Sequence, residues 1–188
     1  MKIAIMNKKG GVGKTPFAFS VAKDLNLFLQ SNDNSCIEQI YPDKAKVIDK
    51  VQSIDNCVFD FGGFVAPGVL EIISQCDYVI IPCTPVYNSL LRTAETIIEI
   101  QDFNSNIVLL ATDFVDDREL KSLKKELGEE PFNKFTTFYF KKSKIVNNAI
   151  KYGMSFMELY NDSVLSRNSY SNFIAEYVKL LKTIKNPK

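Results

Sequence analysis

The 188-residue chain contains no histidine, which excludes catalytic triads and dyads that use a histidine base. It has few cysteines, and none of the four belongs to a C-x-x-C pair. Without histidine, a structural zinc site would need all four cysteines, and their spacing does not favour one. We therefore expect reduced thiols, which are typical of a cytoplasmic protein. The four cysteines are at positions 36, 57, 76 and 83.

Long apolar runs are also absent, so no membrane-spanning helix is predicted, and the first six residues are too short to form a signal-peptide core. With only 8 glycines and 7 prolines, the chain is not a low-complexity or collagen-like protein. A hydrophobic content of 46% with 24% charged residues excludes general disorder. We expect one globular domain over residues 1–188.

Short apolar runs alternate along the chain with segments of helical periodicity. This alternation predicts an α/β fold, a doubly wound and mostly parallel sheet with helices on both faces. The predicted strands are 2–6, 27–29, 57–60, 78–81 (stopped by Pro82), 107–110 and 135–140. The predicted helices are 15–25, 44–51, 67–75, 89–103, 118–127, 143–152 and 171–184.

A glycine-rich segment with two lysines joins the first predicted strand to the first predicted helix. Between a strand and a helix, such a segment is typical of a P-loop, whose backbone N–H groups and helix N-terminus surround a phosphate. Lys14 would bind the β- and γ-phosphates and the Thr15 hydroxyl would bind Mg²⁺. The sequence therefore predicts ATP/ADP and Mg²⁺ as cofactors. The predicted nucleotide-binding residues are Lys9, Gly10, Gly11, Val12, Gly13, Lys14, Thr15 and Pro16.

An acidic candidate, Asp60, stands at the end of the predicted strand 57–60, whose other residues are apolar. This arrangement is similar to a Walker B strand, and it predicts that Asp60 holds the Mg²⁺ shell through water. Thr15 and Asp60 are thus the predicted metal residues.

The P-loop has one further feature, a lysine immediately ahead of the glycine pair. Asn7-x-Lys9-Gly-Gly-Val-Gly-Lys14-Thr15 resembles the deviant Walker A motif of the ParA/MinD-type ATPases, and the chain is most similar to small ParA-type partition ATPases. Segments 77–85 and 144–155 also resemble that family. The resemblance implies that Lys9 reaches the phosphates of a partner copy, so that ATP forms a sandwich homodimer. With Lys14, Asp60 and Asn32, Lys9 completes the predicted catalytic set.

The resemblance also implies a cycle for DNA partition of a plasmid or chromosome. The ATP dimer would bind DNA without sequence preference and a ParB-like partner would stimulate hydrolysis, giving a nucleoid-associated protein in the cytoplasm. The charge distribution is compatible with a polyanion. From Pro131 onward the chain has ten basic and three acidic residues.

Three parts of the sequence depart from the family pattern. Pro16 stands where the family has threonine, and its missing N–H removes one potential phosphate contact. Gln30 and Asn32 replace the two aspartates of the second strand, unless the register is one residue off and Asp33 takes this role. Amides orient water but do not accept its proton, so hydrolysis is expected to be slow. After Asp60, the family's Thr-Pro-Pro is replaced by Phe-Gly-Gly.

Other functions use the same scaffold. A MinD-like ATPase that cycles on a membrane would use the last helix, which has an apolar face opposite its lysines. The same pattern more often indicates a helix docked on the core, so a membrane partner is disfavoured. A nucleotide-dependent dimer switch with impaired hydrolysis is a further alternative. An iron–sulfur reductase is disfavoured by the cysteine positions, and a ligase substrate site is not evident.

Overall fold

The structure is a computed structural model that describes residues 1–63 and 68–185. Its strands are β1 (Lys2–Met6), β2 (Phe28–Ser31), β3 (Ala45–Val47), β4 (Cys57–Phe61), β5 (Tyr78–Cys83), β6 (Ile107–Phe114) and β7 (Thr136–Lys141). These seven strands form one parallel sheet in the order β3-β2-β4-β1-β5-β6-β7. The predicted parallel α/β sheet is confirmed.

Helices cover both faces of the sheet, as a doubly wound fold requires. Neighbouring residues of β1 point to opposite faces, so Ile3 and Ile5 join one apolar cluster while Ala4 and Met6 join the other. The helices are α1 (Lys14–Asp24), α2 (Ile37–Ile40), α3 (Val69–Ser74), α4 (Tyr87–Ile100), α5 (Asp117–Glu126), α6 (Lys144–Tyr152), α7 (Phe156–Asn161) and α8 (Val164–Lys185). The first cluster includes side chains of α1, α6, α7 and α8, and the second includes those of α3, α4 and α5.

The helix predicted over 44–51 is wrong. This segment contains β3, which pairs with β2 through backbone contacts such as Leu29 N–H to the Lys44 carbonyl and Ile48 N–H to the Ser31 carbonyl. The helix α7 was not predicted, and α8 begins seven residues earlier than the predicted helix 171–184. The predicted start of the third helix, Pro67, lies outside the described residues.

Pro82 does not stop β5, contrary to the prediction, because the strand continues to Cys83. The pairing between β5 and β1 ends at Ile80. Beyond this point the Pro82 carbonyl accepts a hydrogen bond from Asn7 Nδ2 at 2.8 Å. Proline is tolerated here because no β1 backbone group needs its missing N–H.

The central strand β1 has β4 on one side and β5 on the other, and the strand order reverses at this point. In parallel sheets, ligands bind in the crevice outside the carboxyl ends of the strands at such a reversal. The loop that follows β1 lies in this crevice, and it is the glycine-rich segment Lys9–Gly13.

Candidate nucleotide-binding site

The glycine-rich loop has the backbone conformation that a phosphate cradle needs. Gly11 and Gly13 have φ of 77° and 96°, in the left-handed region that favours glycine. A Cβ at Gly10 or Gly11 would have no neighbour within 4 Å, so the loop borders open space. Gly13 is the N-cap of α1 and has no side chain to bond the first N–H groups of the helix. These N–H groups are suited to an anion.

The two lysines of the loop differ in burial and in their contacts. Lys14 is 7% exposed, and its Nζ donates to the Lys9 carbonyl at 3.2 Å. Burial lowers the Lys14 pKa, and the charges of Asp60 and Asp33 oppose this shift. Lys9 is only partly buried, and its Nζ donates to the adjacent Gly10 carbonyl at 3.1 Å. Lys14 thus lies inside the site and Lys9 at its rim.

Asp60 is buried at the end of β4, where it meets the first turn of α1. Its Oδ2 accepts hydrogen bonds from Thr15 Oγ1 at 2.7 Å and Ser31 Oγ at 3.3 Å. Its Oδ1 is buried and has no hydrogen-bond partner among the described residues. Burial raises the Asp60 pKa to about 6, against the opposing hydrogen bond from Thr15 and the charge of Lys14.

This orphaned carboxylate oxygen beside a hydroxyl fits a hard cation such as Mg²⁺, which prefers oxygen ligands. Thr15 and Asp60, the two residues that the sequence predicts, would hold it. When bound with a nucleotide, Mg²⁺ neutralises phosphate charge.

The pH dependence of Mg²⁺–nucleotide binding should show whether the Asp60 carboxylate takes part in it. Because burial raises its pKa to about 6, Asp60 of the ligand-free protein binds a proton below about pH 6, and Mg²⁺ must displace that proton. We expect the affinity for Mg²⁺–nucleotide to be full above about pH 6 and to fall by up to tenfold per pH unit below it. Titrations between about pH 5 and pH 7 test this. Asp60→Asn is the control, since it retains only the nucleotide's own titration, and equal slopes for the two proteins would contradict the assignment.

The loop after β2 contacts the segment after β4 through Asn32, whose Oδ1 accepts a hydrogen bond from Gly62 N–H at 2.6 Å. The Asn32 side chain thus holds the backbone that follows Asp60. Gln30 instead bonds the Gln52 backbone through both ends of its amide, at 3.0 Å each. It also lies 3.8 Å from Cys57 Sγ. Gln30 therefore anchors the segment before β4 and lies away from the P-loop.

A cavity of about 690 Å³ opens beside the P-loop, which is the size of a small-molecule site. It is lined on one side by the P-loop, including Pro16, and by Asp33. The opposite wall comes from the ends of β6 and β7 and from the first turn of α6. These residues are Thr112, Asp113, Phe140, Lys141, Lys142, Ser143, Lys144, Val146 and Asn147. Among the predicted site residues, only Lys9, Asn32 and Asp60 are not part of the cavity wall.

Several residues that support the P-loop were not predicted from the sequence. Asn7 Oδ1 accepts from Lys9 N–H at 2.8 Å, while its Nδ2 donates to Thr93 Oγ1 at 2.7 Å. Thr112 Oγ1 lies 3.2 Å from the Val12 carbonyl oxygen. Lys8, which replaces the usual first glycine of a P-loop, forms an ion pair with Glu99 at 2.8 Å. The signal for Asn7 was its place within the quoted motif, whereas the contacts from α4 and β6 are long-range.

Comparison with known proteins gives similarity in structure but not in sequence. The sequence matches no protein-family model and no curated protein sequence. The solved structure of apo McdA from Cyanothece superposes with a TM-score of 0.67 at 14% identity, covering 91% of this chain and 98% of that one. A plasmid partition protein of Borrelia burgdorferi B31 bound to AMPPNP gives 0.64 at 16% identity, covering 95% and 98%. The cell division ATPase MinD of Pyrococcus furiosus gives 0.63 at 12% identity, also covering 95% and 98%.

These identities are too low to transfer an activity, but the similarity extends over nearly the whole length of each chain. The sheet, the P-loop between β1 and α1, and the acid at the end of β4 agree with the resemblance found in the sequence. The chain has the fold of the ParA/MinD-type deviant Walker A ATPases.

Proposed function

We propose that this protein is a ParA-type ATPase in which ATP and Mg²⁺ drive formation of a homodimer. The observation that carries the proposal is the separation of the two P-loop lysines. Lys14 is buried beside Asp60, where it would bind the phosphates of its own copy. Lys9 lies at the rim of the loop, and among the described residues its side chain bonds only to the adjacent Gly10 carbonyl. A lysine so placed can turn outward to the phosphates of a second copy.

A dimer of this kind makes association depend on the nucleotide. Two P-loops that face each other would bring together like charges, and the γ-phosphate and Mg²⁺ change this balance. A second cation near the γ-phosphate also stabilises the charge that develops during phosphoryl transfer, as an arginine finger does. Lys9 would thus serve both dimerisation and hydrolysis.

Light scattering tests the switch directly. We expect one chain mass without nucleotide and with ADP–Mg²⁺, and twice that mass with ATP–Mg²⁺. A mass that is the same in all three states would contradict the proposal.

Asp33 is the carboxylate that we propose to position the attacking water. It lines the cavity, and its charge acts on Lys14. Asn32, predicted for this role, has its amide oxygen bonded to Gly62 N–H. The role of Asn32 in the proposed cycle is therefore to link the β2 loop to the segment after Asp60.

Replacing Asp33 by Asn should lower the hydrolysis rate by about 10²- to 10⁴-fold, because the amide cannot accept the proton of water. ATP affinity should change much less. The measurement is single-turnover hydrolysis beside equilibrium ATP binding. Asn32→Asp is the matched variant, since it adds a carboxylate one residue away. In the double variant Asn32→Asp/Asp33→Asn, this added carboxylate should not restore hydrolysis. If Asn32→Asp alone raised the rate and Asp33→Asn had no effect, the assignment would be reversed.

DNA is the proposed partner of the ATP dimer, without sequence preference. A group of basic residues beside the cavity supports this part of the proposal. Lys141, Lys142 and Lys144 are all exposed at the end of β7 and the start of α6. Lys151 lies exposed near the end of the same helix. Such a group can bind phosphates in the salt-dependent manner of non-specific DNA binding. A ParB-like partner protein would stimulate hydrolysis and release the DNA.

The membrane alternative has less support. The apolar face of α8 is buried against the core rather than free, with Tyr177 and Ile184 fully buried. Insertion of this face into a bilayer would require the helix to leave the core. In residues 1–63 and 68–185, no helix combines the length and the apolar character needed to cross a membrane.

A further inference from the structure

We propose that Asp113 reads the base of the bound nucleotide by accepting a hydrogen bond from the exocyclic amino group of adenine. The inference rests on the proposed binding of ATP at the P-loop. It assigns a specificity role to a residue that neither the P-loop motif nor the predicted catalytic set contains.

The first observation is the position of Asp113 in an irregular part of β6. Thr112 pairs with Phe140 of β7 and Phe114 pairs with Lys141, so Asp113 is an extra residue without a partner in β7. Such a bulge re-aims side chains and is common beside functional sites. Because of this extra residue, Phe114 lies on the same face of the sheet as Leu109 and Ala111, and all three belong to the second apolar cluster.

The backbone at Asp113 is unusual as well. Its φ is 65°, in the left-handed region that few residues other than glycine adopt. Aspartate and asparagine tolerate this region best among the residues with side chains. A backbone conformation of this kind costs free energy and is concentrated at ligand sites, where its cost is offset by function.

The third observation is where the bulge lies in the cavity. The strand order β1-β5-β6-β7 places the end of β6 two strands from the P-loop, at a spacing of about 4.8 Å per strand. Asp60 and Asp33 lie at the other end, on the β4 and β2 side. The phosphates would occupy the P-loop, so the sugar and base extend toward β6 and β7, where Asp113 lines the cavity.

The chemistry of this end of the cavity is distinctive. Asp113 is a carboxylate among three lysines, and it forms an ion pair with Lys142 at 3.5 Å. The two side chains are 53% and 63% exposed, so the pair contributes little to stability. A carboxylate is an acceptor only and needs N–H donors. Adenine presents the N6 amino group, whereas guanine presents the O6 acceptor at the same place, which a carboxylate would repel.

Three nucleotides and one phosphate probe distinguish binding of the base from binding of the phosphates at the P-loop. The probes are ATP, purine riboside triphosphate, which differs only in having no 6-amino group, and tripolyphosphate. In the intact protein we expect ATP to bind about 10- to 100-fold more tightly than purine riboside triphosphate, as for a hydrogen bond to a charged group. GTP should bind more weakly than ATP.

Asp113→Gly removes the carboxylate and fits the positive φ without strain. In this variant, ATP and purine riboside triphosphate should bind with about equal affinity, and the affinity for tripolyphosphate should be that of the intact protein. Asp113→Asn keeps an acceptor oxygen and the same backbone preference, so it should retain part of the preference. Lys142→Gln removes the ion pair together with one positive charge of the cavity wall. Because ATP and purine riboside triphosphate carry the same phosphates, the ratio of their affinities should stay that of the intact protein.

The inference is overturned if Asp113→Gly keeps the ratio of the intact protein, or if Lys142→Gln reduces the ratio as Asp113→Gly does, since Asp113 would then act only through its ion pair. Tighter binding of GTP than of ATP by the intact protein would also overturn the adenine assignment. Failure of the proposed function looks different, because the intact protein would then bind neither ATP nor tripolyphosphate.

Discussion

Replacing Lys14 by Ala is expected to lower ATP affinity by at least about a hundredfold, because its ammonium group would make charge-assisted bonds to the phosphates. Lys14 is 7% exposed and lies near Asp60 and Asp33. Burial lowers its pKa, because the ammonium group is partly removed from water. A bound phosphate would oppose this shift by adding negative charge beside the ammonium group.

Thermal unfolding with and without ATP–Mg²⁺ measures this loss. A ligand that binds the folded state raises the melting temperature in proportion to the logarithm of its concentration over its Kd. The intact protein should be stabilised by ATP–Mg²⁺ and Lys14→Ala should not be. Lys121→Ala is the charge-matched control, since Lys121 is exposed on α5 and is not part of the cavity wall. Stabilisation of Lys14→Ala equal to that of the control would show that the P-loop is not the nucleotide site.

Replacing Lys9 by Ala is expected to have the opposite profile, with nearly normal ATP binding and no dimer. Lys9 bonds to the Gly10 carbonyl, and its loss leaves the cavity wall intact. Its backbone carbonyl, which accepts from Lys14 Nζ, is kept in the variant. The free energy that Lys9 contributes should therefore appear only when a second copy supplies the phosphates.

The measurement combines ATP titration with the mass of the protein in ATP–Mg²⁺. We expect an ATP affinity within a few-fold of the intact protein's and a mass of one chain. Lys9→Arg keeps the positive charge at this position, and it should restore part of the dimer. A dimer of Lys9→Ala as stable as that of the intact protein would exclude the contact across the interface.

The fold was largely predictable because its strongest signals are local. The apolar runs of β1, β4 and β5 are buried on both faces, and buried parallel strands appear as continuous apolar segments. The P-loop was equally clear, since its glycines, lysines and threonine stand at fixed spacing between a strand and a helix. The prediction that Asp60 helps to hold Mg²⁺ came from its place at the end of an apolar strand.

The second strand shows what local signals do not determine. Side chains of a strand alternate between its faces, so a shift of one residue exchanges the set that meets the site. The sequence left two registers open, one that assigned the site to Gln30 and Asn32 and one, shifted by one residue, that assigned it to Asp33. In the structure Ser31 contacts Asp60 and Asp33 lines the cavity, while Gln30 bonds Gln52. The contact between Ser31 and Asp60 joins residues 29 positions apart, and no local pattern specifies it.

The missed strand β3 has a similar origin. Residues 45–47 have no strong alternation of their own, and they become a strand through pairing with β2. The position of Asp113 is also a product of pairing, because a bulge is defined only relative to the neighbouring strand. Sequence patterns therefore predicted the P-loop wall of the cavity, whereas the opposite wall depends on how β6 and β7 pair.

Binding to random-sequence duplex DNA tests the proposed partition ATPase most directly. It should be measured with ATP–Mg²⁺, with ADP–Mg²⁺ and without nucleotide, at low and moderate salt. We expect binding only with ATP–Mg²⁺, with an affinity that falls steeply as salt rises and does not depend on the sequence. Equal binding in all three states, or no binding in any of them, would contradict the account.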